Sequence, residues 1–122
     1  MKVNEWVVVA SRHQIKIFKR SDTKKPLQWI YTLRNPDIQS NNEVSPSMEK
    51  VIQRWARKIS DILKLGSEKH SFGKLHIFAE PHLLGHLKNQ IPKSMKSVLI
   101  EWIGKDLEKA TAQQLTDRVL EH

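Results

Sequence analysis

Two histidines four residues apart, His82 and His86 in "HLLGH", are the first pair in this sequence whose spacing could do chemistry. On a helix, positions i and i+4 share one face, which lets two imidazoles reach a single zinc ion. The hydrolytic form of that motif also needs a glutamate directly after the first histidine as general base, and a third ligand further along. Leu83 takes the place of the base, His13, His70, His76 and His122 form no second pair, and the chain has no cysteine. The expectation is therefore a pair of helix-surface histidines, with no metal and no cofactor.

Carboxylates give no stronger signal. Two-metal cleavage needs several acidic side chains converging on two cations, and the candidates are Glu5 at the edge of a first strand, Glu49 at a helix start and Glu80 after a later strand. No Gly-x-Ser-x-Gly elbow and no phosphate-gripping glycine loop is present. No enzymatic activity is expected.

Positive charge is the broadest feature. The 122 residues carry 21 Lys and Arg against 13 Asp and Glu, a formal net charge of +8, with the excess lying ahead of Ser97. Such a surface attracts polyanions. Lys50, Arg54, Arg57, Lys58 and Lys64 recur at helical spacing and could track a phosphate backbone. Lys88, Lys93 and Lys96 form a second group, with Arg12 as a neighbour if the fold brings it there. The plainer reading is a solvated helix face, in which Asp61 pairs with Arg57 and Lys64. The tryptophans Trp6, Trp29, Trp55 and Trp102 could stack on bases, but their places within apolar runs favour core packing.

The elements that must position these residues follow from periodicity. "EWVVVASRHQIKIFKR" reads as a hairpin, with strands Trp6 to Ser11 and Ile15 to Lys19. "LQWIYTLR" reads as a third antiparallel strand with Trp29, Tyr31 and Leu33 on one side. Residues 35–47, rich in Asn, Ser and Pro, read as a flexible loop. Ser47 then caps an amphipathic helix that buries Ile52, Trp55, Ile59, Ile62 and Leu63 and stops at Gly66. A fourth strand spans Lys74 to Ala79, Pro81 opens a short helix, "KSVLIEWI" is a fifth strand, and Thr111 caps a last helix. The order βββαβαβα predicts an α/β domain over residues 1–122, a mixed sheet covered by helices as in ribonuclease H-like folds. Leu120, Glu121 and His122 match the scar of a purification tag, and no function is assigned to them.

"WVVVASRHQIKIFKR", "PHLLGHLKNQIP" and "IGKDLEKATAQQL" together resemble the bacterial host attachment protein family. Pro81, Leu84, Gly85 and Leu87 fit its second motif; Lys105, Asp106, Leu107 and Leu115 fit its third. That family is similar in fold to the middle domain of eukaryotic and archaeal peptide-chain release factors. The resemblance implies a non-enzymatic protein that binds RNA or the ribosome, with an interaction module acting indirectly on host attachment as the alternative. The Gly-Gly-Gln tripeptide of release factors is absent, and all four glycines are isolated, so peptide release is not expected. With no long apolar run and no recognisable signal peptide, the expected location is the cytoplasm, without membrane contact. Gly85 is read as permitting close approach of another element, and Asp106 as a hydrogen-bond acceptor for the local backbone.

Overall fold

The computed structural model describes residues 4–22, 24–38, 47–69, 71–95 and 98–121. Five strands form one sheet: β1 (Glu5–Ala10), β2 (Gln14–Arg20), β3 (Gln28–Arg34), β4 (Lys74–Ala79) and β5 (Leu99–Ile103), in the spatial order β3-β2-β1-β4-β5. The hairpin contacts β1–β2 and β2–β3 are antiparallel, while β1–β4 and β4–β5 are parallel. Helix α1 (Met48–Glu68) connects the antiparallel part to β4, α2 (Pro81–Gln90) links β4 to β5, and α3 (Ala112–Glu121) closes the chain. The fold is thus mixed α/β, with the expected order of elements.

Alternation along the strands divides the core. Val8, Ala10, Ile15, Ile17, Leu75 and Ile77 pack with Trp55, Ile59 and Leu63 of α1 and with Leu83 and Leu87 of α2. Val7, Val9, Phe18, Phe78 and Ile103 turn the other way, onto Leu115 and Val119 of α3. The period of two sends successive side chains to opposite faces, so α1 and α2 cover one face and α3 the other.

Local chemistry sets the helix ends. The Ser47 side chain accepts from Lys50 N, and Glu80 caps α2 by accepting from the backbone N–H groups of His82 and Leu83, with Pro81 inside the first turn. Thr111 and Gln114 form a reciprocal box: Gln114 N donates to Thr111 Oγ1 at 3.1 Å and Thr111 N to Gln114 Oε1 at 2.9 Å.

Four expectations need correction. Gly66 does not end α1, which continues to Glu68; it is buried where Trp6 and Phe72 cross the helix, and an added Cβ would lie 2.9 Å from Phe72 Cε2. The third strand does not keep Trp29 with Tyr31 and Leu33. A bulge pairs Ile17 with Tyr31 but Phe18 with Trp29, moving Trp29 to the opposite face. Trp29 is 60% exposed and belongs to no core.

The start of the supposed loop 35–47 is anchored. Asn35 is buried, its N donating to His13 O and its Nδ2 to Arg12 O, and Pro36–Ile38 form a 3₁₀ turn. Residues 39–46 lie outside the described residues. Gly85 is exposed, and among the described residues nothing lies near its missing Cβ and no element approaches it closely. Among the described residues, no helix is long and apolar enough to cross a membrane.

Candidate functional site

Parallel strands end together, and the loops that leave them open a crevice there. Here a cleft of about 630 Å³ lies at the carboxyl ends of β1, β4 and β5, against the first turns of α1 and α2. Ser11 and Arg12 after β1, Glu80 after β4, Asp106 and Glu108 after β5, and Glu49 and His82 on the helices contribute its polar lining.

Several contacts fix that lining. Trp55, buried in α1, donates its indole N–H to Ser11 O at 2.8 Å, tying the helix to the end of β1. Ser11 Oγ accepts from His13 N and Gln14 N and bonds Glu108 across the cleft. Asp106 Oδ1 accepts from Glu108 N at 3.1 Å, a local backbone bond of the kind expected for it. Lys105 is exposed beside it, and Leu107 is half-buried against the α3 side of the core.

The histidine pair meets a partner that the sequence did not reveal. Glu49, in the first turn of α1, spans both rings: Oε1 lies 2.8 Å from His82 Nε2 and Oε2 lies 2.8 Å from His86 Nε2. The three ligand-type atoms fall within 4.8 Å of one another. The hydrogen bond from His82, seconded by that from His86, holds the Glu49 carboxyl below its ordinary range despite some desolvation. The zinc motif places its third group downstream of the histidines, whereas Glu49 stands 33 residues before His82. Only the docking of α2 beside α1 brings it there.

The basic residues separate into distinct places. Lys50, Arg54, Arg57, Lys58 and Lys64 are all exposed on the outer side of α1. Arg54 is held by Asp37 of the 3₁₀ turn, Nη2 to Oδ2 at 3.1 Å. Asp61 forms no ion pair with Arg57 or Lys64. Lys88 sits over the ring of Trp102 on edge strand β5, 5.9 Å from its centroid, on the flank of α2 turned away from α1. It does not extend the α1 group. Lys93 is exposed in a short 3₁₀ turn, and Lys96 lies outside the described residues. Arg12 lines the cleft and is not part of the Lys88 group.

His76 also has partners that the sequence did not reveal. His76 on β4 lies between Glu5 and Glu101, and Glu5 in turn holds Arg20. This network faces the α3 side, at the opposite end of β1 from the cleft, so Glu5 does not converge with Glu49 and Glu80. Its only sequence signal is a histidine alternating with apolar residues in "KLHIFA".

The family model for bacterial archaeo-eukaryotic release factor family 12 matches residues 39–119, well over half of the chain. The match bears on the release-factor part of the sequence resemblance, and its description makes no mention of host attachment. No curated protein matches the chain. A solved structure described as "Archaeal protein" is similar with a TM-score of 0.51 at 12% identity, over 97% of this chain and 37% of that one. Two Aquifex aeolicus structures, the type II variant of the Ppx/GppA phosphatase and a Ppx/GppA family member, give TM-scores of 0.47 and 0.45. Their identities are 11% and 10%, over 83% and 84% of this chain and 35% of each of theirs. The chain thus spans little more than a third of the length of these structures, and the likeness to the first is one of fold.

Proposed function

Starting from the fact that the chain belongs to bacterial archaeo-eukaryotic release factor family 12, we propose a translation-related role in which it binds RNA or the ribosome without catalysing a reaction. The observation that carries this reading is the outer face of α1. Five basic side chains stand exposed there, and among the described residues only Arg54 is engaged in an ion pair. Exposed cations in a row suit a phosphate backbone, because each contact releases condensed counterions. The ribonuclease H-like arrangement expected from the sequence supplies the platform: the sheet packs against the inner face of α1 and leaves its charged face to solvent.

The cleft supports a different kind of contact. Glu49, Glu80, Asp106 and Glu108 make it rich in carboxylates, which repel a bare phosphate chain. The nucleic-acid surface is therefore assigned to α1 and not to the cleft.

The test is sedimentation of the untagged chain with ribosomes and subunits across a salt series, alongside an Arg57→Glu, Lys58→Glu double variant checked for folding. Cosedimentation that weakens with salt and is lost in the variant is expected. For single-stranded RNA the two lost contacts lower the slope of log K against log salt by about 1.4. Absence of cosedimentation at low salt, or full retention by the double variant, overturns the assignment. A partner held equally well at low and high salt favours a protein-interaction module instead.

A further inference from the structure

We propose that Glu49, His82 and His86 form a divalent transition-metal site, with zinc as the fitting ion, whose fourth position opens onto the cleft. Two imidazoles and one carboxylate are the ligand set of open zinc sites, in which three protein groups leave one place for water or another oxygen ligand. Imidazole nitrogen favours zinc over magnesium or calcium, which take oxygen ligands.

The geometry is nearly assembled. His82 and His86 stand one turn apart on α2, their rings edge to face with centroids 5.0 Å apart, and both present Nε2 to the same carboxylate. A tetrahedral ion with bonds of about 2.0–2.1 Å holds its ligand atoms roughly 3.3 Å apart, and the three atoms here already lie within 4.8 Å. Glu49 and His82 are half exposed, with side-chain exposures of 50% and 54%, so their rotamers can adjust without disturbing the core. His86 is more enclosed, at 18%. The ion would take the place between the two Nε2 atoms and the Glu49 carboxylate that their hydrogen bonds now bridge.

The open side follows from placement. Glu49 and His82 line the cleft and His86 stands behind them, so a fourth ligand enters from the space bounded by Glu80, Asp106 and Glu108. In chemical class that ligand is water or an oxygen anion. This site is independent of the α1 surface, and neither inference requires the other.

The experiment is titration of the untagged, metal-stripped full chain with zinc at neutral pH by calorimetry, with cobalt as a spectroscopic stand-in. One zinc per chain with a Kd of about 1 μM or tighter is expected, together with the intense visible absorption of four-coordinate cobalt. Glu49→Gln, His82→Ala and His86→Ala should each weaken binding by about 100-fold or more, beyond the 10–100-fold typical of groups that only support a ligand. Because Glu49 and His82 lie at the surface, Glu49→Gln and His82→Ala should keep the wild-type circular dichroism and melting curve, so lost binding is read as lost ligation; for the more enclosed His86 the melting curve of His86→Ala is measured beside its binding. Failure of the wild-type chain to bind zinc stoichiometrically, or unchanged binding in the three variants, overturns the proposal.

Discussion

Glu5 Oε2 lies 2.8 Å from His76 Nε2, with side-chain exposures of 4% and 2%. The pair is the centre of a chain of charges across four strands: Arg20 Nε on β2 donates to Glu5 Oε1 at 2.7 Å, and Glu101 Oε1 on β5 lies 2.5 Å from His76 Nδ1. Each ring nitrogen of His76 thus faces a carboxylate oxygen. Removing one member of a buried ionic network leaves the others uncompensated, at a cost of about 3–5 kcal/mol. His76→Leu should therefore lose stability near the lower end of that range, since Glu5 keeps Arg20. Urea denaturation measures this, and a loss below about 1 kcal/mol would show that the network contributes little.

The same pair sets a response to acid. Burial alone pushes the Glu5 carboxyl up, but the hydrogen bonds and charges of Arg20 and His76 together bring it below its ordinary 4.5. A carboxyl depressed in the folded state contributes stability in full above its unfolded value and loses it as pH falls through the folded one. Glu5 therefore supports the fold at neutral pH, and its contribution fades below about pH 4.5. Melting temperatures measured from pH 6 to pH 3 should fall more steeply in the wild-type chain than in Glu5→Gln, which starts lower and has no charge there to lose. Parallel curves would remove Glu5 as the cause.

Much of the fold was legible because it rests on local periodicity. The apolar run "VVVA", the alternation in "IKIF", the cap at Ser47 and the proline at 81 each specify an element from within a few residues of themselves. What was not legible depends on separation. Glu49 meets His82 and His86 only through helix docking, His76 meets its two carboxylates only through strand order, and the bulge that turns Trp29 outward arises in the pairing with β2. Gly66 shows the limit of a local rule: glycine is a common helix terminator, yet here it is small because two rings lie against the helix.

That packing makes Gly66→Ala a test of which property of glycine matters. Intrinsic helix propensity favours alanine by about 1 kcal/mol, whereas the added Cβ would sit 2.9 Å from Phe72 Cε2 and 3.0 Å from Trp6 Cη2. Those two rings pack on each other with centroids 4.6 Å apart, so neither can move aside alone. Overpacking typically costs 1–3 kcal/mol, and the balance is a net loss of about 1 kcal/mol. A stabilised variant in a thermal melt would mean that the aromatic pair yields freely.

The bond from Trp55 Nε1 to Ser11 O joins the middle of α1 to the residue that begins the cleft. Trp55→Phe preserves an aromatic ring in the core but leaves the Ser11 carbonyl without this donor, and it removes volume from a side chain only 1% exposed. An unsatisfied buried acceptor costs about 1–3 kcal/mol, and the smaller ring adds a cavity term, so a loss of about 3 kcal/mol is expected. The consequence should extend to the cleft, because Ser11 Oγ holds Glu108. Amide exchange at His13 and Gln14, whose N–H groups donate to Ser11 Oγ, should accelerate more than exchange in β3. A uniform acceleration throughout the sheet would instead assign Trp55 to general core packing, with no special part in positioning the cleft.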